Sequence, residues 1–155
     1  MKTGVKTQSL KAFEIEIEAT NFQKLIANGQ YERKDFDVNE DNFPIKNKTK
    51  RTAFIKLFKF DRDIFYRKDV IEEMKKEDFR PAMIEELLAL GASHKELQKT
   101  SPIVALGAVW ICQHSLFPTL KMENFGKRKV REITTSGQIG YWSEYFSFAG
   151  VHEIS

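Results

Sequence analysis

FRPAMIEELLALGASHKELQKTSPIVALGAVW, residues 79–110, is the stretch whose patterning decides the fold. Pro81 suits the first turn of a helix, where its missing N–H would have no intrahelical partner. Met83, Leu87 and Leu90 recur at i, i+4 and i+7, and with Ile84 and Leu88 they form a broad apolar stripe. Gly91 supplies the left-handed residue that stops the helix. Ser93-His94-Lys95-Glu96 reads as a capping box opening a short helix that Ser101-Pro102 ends. From Ile103 to Trp110 nearly every residue is apolar, as in a buried strand, and Gly107 marks a bulge or a close backbone approach.

Upstream, Phe13-Glu14-Ile15-Glu16-Ile17-Glu18 alternates with the period of a half-buried strand, Phe13, Ile15 and Ile17 facing inward. Asn21 caps a short helix with Phe22, Leu25 and Ile26 on one side, closed by Asn28-Gly29. Residues 31–50 are turn-rich, and Phe36, Val38, Phe43 and Ile45 are their candidate anchors. Arg51 to Phe60 alternates again with apolar residues on both faces, so this strand is central or a helix covers its second face. Lys56 and Lys59 suit cross-strand pairing with the Glu ladder of residues 14–18. Asp69 caps a helix to about Lys76, with Val70, Ile71 and Met74 inward. Downstream, residues 111–155 hold β-prone pieces near 116–120, 128–134, 139–142 and 145–151. The first strand is expected to pair with later strands, so that both ends of the chain lie together. The order predicts one α+β domain over residues 1–155, an antiparallel sheet with two or three helices, after a loose polar start at 1–11.

Composition bounds the rest. The 155 residues are 41% hydrophobic and 30% charged, which excludes collagen-like, low-complexity and fully disordered classes. Thirteen Phe against two Trp and four Tyr mark Phe as the chief core-building aromatic, since it carries no polar handle. The formal charge is +3, far from the extreme of a nucleic-acid-binding chain. A single cysteine, Cys112, excludes an internal disulfide and a multi-cysteine zinc site, and reads as a small core hydrophobe. With no apolar leader and no spanning run, a soluble cytoplasmic protein without membrane contact is expected.

Catalytic constellations are scarce. His94, His114 and His152 stand far apart and fit no metal-ligand spacing. No glycine-rich phosphate loop is present, and the pairs Glu72/Glu73 and Glu85/Glu86 read as solvated helix faces. No enzyme, cofactor or metal is therefore expected. Two features suit binding instead. Lys127-Arg128-Lys129-x-Arg131, with Phe125 before it, concentrates cations; the run is short and flanked by Glu123 and Glu132, which favours a solvated strand or loop face over an acidic or nucleic-acid partner. Tyr141-Trp142-x-x-Tyr145-Phe146-x-Phe148 concentrates aromatics; Phe146 and Phe148 alternate as core residues do, while Tyr141, Trp142 and Tyr145 have the amphipathic character of displayed anchors or of core packing.

The segment Phe79-Arg80-Pro81-Ala82-x-x-Glu85-Glu86-Leu87-Leu88-Ala89-Leu90-Gly91, followed by Pro102-Ile103-Val104-Ala105-Leu106-Gly107-Ala108-Val109-Trp110, resembles an uncharacterised bacterial and phage family with the signature RPAxxEELLALG…PIVALGSxW. That family is similar to C-type-lectin-like domains of the formylglycine-generating-enzyme type, some of them the variable products of diversity-generating retroelements. Trp142-x-x-x-Phe146-x-Phe148-Ala149-x-Val151 stands where the family's closing segment is expected, without its arginine. The calcium-ligand patterns of sugar-binding lectins and the paired cysteines of the oxidases are missing. The resemblance thus implies a scaffold and a display surface, without lectin or oxidase chemistry. The expected function is binding of a protein or other macromolecular ligand through the loops between residues 111 and 145. Lys127, Arg128, Arg131, Tyr141, Trp142 and Tyr145 are its candidate contacts. The alternatives are a nucleic-acid-associated role using Lys46–Lys59 and Lys127–Arg131, and a phage or mobile-element effector that inhibits a host enzyme.

Overall fold

Strand alternation and helix stripes resolve, among the described residues of the computed structural model, into three α-helices and a nine-stranded sheet. The structure describes residues 12–137 and 140–153, so the loose start expected at 1–11 lies outside the described residues. The strands are β1 (Phe13–Ile17), β2 (Arg33–Lys34), β3 (Arg51–Lys59), β4 (Arg80–Pro81), β5 (Ile103–Val104), β6 (Trp110–Ile111), β7 (Ser115–Phe125), β8 (Arg128–Gly137) and β9 (Ser147–Glu153). The helices are α1 (Phe22–Gly29), α2 (Arg67–Lys76) and α3 (Ile84–Ser93), with one 3-10 turn at Leu97–Lys99. The sheet runs β1-β3-β9-β5-β7-β8-β2, with β4 beside β9 and β6 beside β7. It is mostly antiparallel, but β5 runs parallel to β9 and β2 parallel to β8. The first and last strands flank β3 on its two sides.

Side chains of successive strand residues point to opposite faces, and each face has its own core. Ile55, Leu57, Ile103, Ala149 and Val151 join α1 and α3 in one cluster. Phe58, Val104, Phe148 and Phe117 join Val70 and Met74 of α2 in the other. A helix on each side explains why β3 is apolar on both faces. Asn21 caps α1 as its side-chain chemistry dictates, its Oδ1 accepting from Lys24 N at 3.0 Å. The left-handed residue that ends α1 is Gln30 (φ 53°), one position beyond Gly29.

Tertiary contacts override several local signals. Pro81 is not in a helix: it sits in β4 opposite Gly150, and α3 begins three residues later. Gly91 does not stop α3 but lies inside its last turn. A Cβ there would fall 2.2 Å from the Tyr31 hydroxyl, so what requires glycine is packing, not a left-handed φ. Ser93 still belongs to α3 and His94 closes it, so no capping box opens a second α-helix. Tyr66, not Asp69, caps α2, and Asp69 falls in its first turn. Lys56 pairs with Glu77 of the α2 side, not with the Glu ladder, whose ion pair among the described residues is Lys50 with Glu18. Among the turn anchors Val38 and Phe43 are buried and Ile45 packs against the core, while Phe36 is 84% exposed.

The expected strand from Ile103 to Trp110 is broken in two. After Val104 the chain turns toward α3, and Gly107 N donates to Ala82 O at 2.8 Å. A Cβ on Gly107 would lie 2.5 Å from that oxygen, backbone against backbone, with no flexible atom to yield. Gly107→Ala is therefore expected to break this bond and lower stability by about 1–3 kcal/mol, read as a lower urea midpoint with unchanged slope.

Candidate functional site

The residues with chemical potential fall into four groups, taken here from the core outward. Glu85 and Glu86, at the start of α3, are not solvated: both are 0% exposed. Glu85 accepts from the backbone N–H of Lys46 (3.3 Å) and Asn47 (3.0 Å). Glu86 accepts from Met83 N (2.8 Å), from both terminal nitrogens of Arg80 (2.9 and 2.6 Å) and from Arg51 (2.8 Å). Glu153 completes the cluster through Arg80 and Arg51. Burial opposes ionisation of Glu86. The hydrogen bonds from Arg80, Met83 and Arg51 outweigh it and hold the carboxyl below the usual glutamate range. Every oxygen of this pair is engaged, so it works as an internal tie and not as an acid–base couple.

Arg131 is likewise internal, at 7% exposed. Its guanidinium donates to the carbonyls of Gly29 (2.6 Å), Gly91 (3.2 Å) and Lys95 (3.1 Å) and to Gln98 Oε1 (2.8 Å). It also covers the Tyr31 ring at 4.8 Å. Burial pushes the Tyr31 hydroxyl up to about 12, with the Arg131 charge working the other way. A ligand cannot reach this arginine without dismantling the joint between β8, α1 and α3.

The remaining cations sit at the tip of the β7–β8 hairpin. Lys127 and Arg128 are exposed, but Arg128 pairs with Glu32 at 2.9 Å. The Glu32 carboxyl is held below its usual range, first by the Arg131 N–H and then by Arg128. Phe125, half exposed at the tip, lies under Arg33 at 5.8 Å.

The aromatics occupy the opposite end of the same hairpin. Nine register steps separate the Phe125–Arg128 pair from the Leu116–Gly137 pair, roughly 30 Å of strand. Trp142 is 1% exposed, its ring edge-on to Phe117 (5.6 Å) and Phe148 (5.5 Å). It is a core anchor, and its backbone exchanges both hydrogen bonds with Ile64 at 2.8 Å. That bridge ties the 61–66 loop to the 140–146 segment and leaves their neighbouring aromatics outside. Phe65 (52%), Tyr66 (63%), Tyr141 (51%) and Tyr145 (71%) are all exposed, and the rings of Phe65 and Tyr141 pack at 5.6 Å. The Arg67 guanidinium lies over Phe117 at 5.6 Å, next to this surface. The β6–β7 turn, with Ile111 71% exposed, is at the same end of the hairpin. Cys112 is on that turn and exposed, because the short β6 ends before it.

The six candidate residues therefore do not converge. Tyr141 and Tyr145 are exposed on the 140–146 segment, Lys127 and Arg128 stand at the far tip, and Arg131 and Trp142 are inside. Much of 111–145 is also the β7–β8 hairpin and not loops. Phe65 and Tyr66 belong to the surface on structural grounds; two adjacent aromatics in the polar run Asp61–Asp69 were the only signal in the sequence. Among the described residues no group of three or more His, Cys, Asp or Glu is arranged to hold a metal, and no helix is long and apolar enough to cross a membrane. Comparison with family models, with curated proteins and with solved structures finds no match.

Two outcomes follow from the buried charges. Because the Glu86 carboxyl titrates lower folded than unfolded, its contribution is complete above the unfolded value and is lost as pH falls through the folded one. Glu86→Gln should lower the melting temperature at neutral pH and flatten its decline in acid, measured by thermal denaturation across pH. Arg131→Ala should cost at least about 2 kcal/mol in denaturant unfolding, since it strands several buried carbonyls.

Proposed function

We propose that this chain is a non-enzymatic binding module that recognises a macromolecular ligand, in the first place a protein, through the aromatic surface built on the Ile64–Trp142 bridge. The observation that carries the reading is the contrast within one segment. Trp142 is locked in the core while Tyr141 and Tyr145, beside it in sequence, stand 51% and 71% exposed with Phe65 and Tyr66. Exposed large aromatics on a rigid base are the usual anchors of protein interfaces, because they present wide contact area at small entropic cost. Surfaces of this kind are rare where nothing is bound.

The scaffold proposed for that surface is C-type-lectin-like. What supports it is the sheet in which β1 and β9 flank β3, together with the roles of the signature residues. Arg80 and Glu86 tie α3 to the sheet, and Gly107 packs on Ala82. The missing calcium-ligand patterns fit a ligand held by aromatic contact and not by metal coordination. The nucleic-acid alternative draws on Lys127, Arg128 and Lys129 beside Phe125, but Arg128 is already paired and Arg131 is buried.

The test uses the protein as bait for binding partners, followed by titration of the purified prey. Tyr141→Ala/Tyr145→Ala should abolish capture with little change in melting temperature, and Lys127→Ala/Lys129→Ala should leave it intact. The reverse pattern, together with retention of single-stranded oligonucleotide that weakens steeply with salt, would replace this reading by the nucleic-acid one.

A further inference from the structure

The face of β3 that packs against α1 and α3 ends on a charge. Ala53, Ile55 and Leu57 are buried there, and the next residue on the same face is Lys59, half-buried. Lys59 stands directly opposite Ser147 of β9 in the antiparallel register. Neighbouring strand pairs of this kind hold their Cβ atoms about 5 Å apart, so the lysine stem and the serine share one local surface. Beyond them the sheet is not covered by α3. A cavity of about 430 Å³ opens instead, lined by Phe13, Leu57, Lys59, Leu97, Thr100, Ser101 and Ser147. That volume is in the range that accepts a small organic molecule.

The polar lining of this cavity is incomplete. Ser101 and Ser147 are 7% and 0% exposed, and their hydroxyls meet each other at 2.7 Å. Whichever donates, the hydrogen of the other hydroxyl has no acceptor among the described residues. A buried donor without an acceptor costs free energy that a ligand oxygen would recover. Lys59 has the same deficit in charge. Lys56, three residues back on the other face of β3, is matched with Glu77, whereas Lys59 has no ion-pair partner among the described residues. Thr100 does not fill the gap, since its hydroxyl donates to Leu97 O at 2.9 Å.

We infer that the cavity between β3, β9 and the Leu97–Lys99 turn is a binding site for a small monocarboxylate with an apolar body. Lys59, the one cation among the lining residues, calls for a single negative charge. A carboxylate has two oxygens, one for the Lys59 ammonium and one for the free serine hydroxyl. Phe13, Leu57 and Leu97 supply the apolar walls for the rest of the molecule. A phosphate would bring a second charge with no cation to meet it and no use for those walls. This site is distinct in chemistry from the aromatic surface and does not rest on the function proposed for it.

Hexanoate, its uncharged isostere hexanamide and inorganic phosphate serve as probes on the intact chain, followed by calorimetry and by amide chemical shifts. Hexanoate should bind at millimolar concentration and raise the melting temperature. Hexanamide should bind about tenfold more weakly, the fold-change expected for loss of one charge-assisted hydrogen bond. Phosphate should not compete. Lys59→Met, which keeps the stem and removes the charge, should erase the preference for hexanoate over hexanamide. If that variant fails to fold, the shifts of the wild-type chain decide: they must centre on Thr100, Ser101 and Ser147. Absence of hexanoate binding, equal binding of acid and amide, competition by phosphate, an unchanged Lys59→Met variant, or shifts centred elsewhere would each overturn the assignment.

Discussion

The Glu86 carboxylate, fully buried and surrounded by donors, is the constraint on which the arrangement of the molecule turns. It takes hydrogen bonds from Arg80 on β4, Arg51 on β3 and the backbone of Met83 just before α3. A buried carboxylate is tolerable only when its partners are held in place, so these bonds dictate where α3 begins and how it meets the sheet. Glu85 extends the tie by accepting two backbone N–H groups from the 46–47 loop, which keeps the entry to β3 in register. The opposite end of α3 is bound by a second buried ion, Arg131 of β8, through the Gly91 and Lys95 carbonyls. The eight apolar and charged residues from Ile84 to Gly91 can all be buried because both ends are anchored electrostatically.

With α3 and α1 on one face of the sheet and α2 on the other, the two proposed binding regions lie where exposed aromatics and an open cavity remain. At one end of the β7–β8 hairpin the Ile64–Trp142 bridge is buried with Val70 and Met74 of α2, while its neighbouring aromatics Phe65, Tyr66, Tyr141 and Tyr145 are exposed. On the α3 side the helix stops short of Lys59, and the cavity there is walled by strand residues and the short turn at Leu97–Lys99. The far tip of the hairpin carries the cations. Its distance from the aromatics keeps Lys127 and Arg128 off the aromatic surface.

Elements that depend on local periodicity were legible. The Phe13–Ile17 alternation, the Asn21 cap, the two-faced strand from Arg51 and the β-prone pieces that became β7, β8 and β9 all reflect patterns within a few residues. Elements that depend on a distant partner were not. Pro81 fits a helix start in isolation and yet joins β9 as a short strand, because Arg80 beside it must reach Glu86. The apolar run from Ile103 continues as a turn because Gly107 is drawn onto Ala82. Glu85 and Glu86 look like any exposed acidic pair on a helix, and the donors that make their burial possible, Arg51, Arg80 and the backbone of Lys46, Asn47 and Met83, come together only in the fold. Of the candidate contacts, Tyr141 and Tyr145 are exposed. Trp142 and Arg131 cannot be told from exposed residues until Phe117, Phe148 and the carbonyls of α1 and α3 are placed around them.

Side-chain alternation, apolar spacing and the excess of Phe suffice to specify a mixed sheet-and-helix chain with a strand from Arg51 that is apolar on both faces. They do so because backbone geometry couples each pattern to one face within a few residues. Which charges are buried, which aromatics are displayed and where Lys59 ends the inner face depend on contacts between residues far apart in the chain. Those were decided by the tertiary structure alone. Desolvation is a property of the assembled neighbourhood, and the same lysine, tryptophan or glutamate is inside or outside according to what the other strands and helices bring beside it.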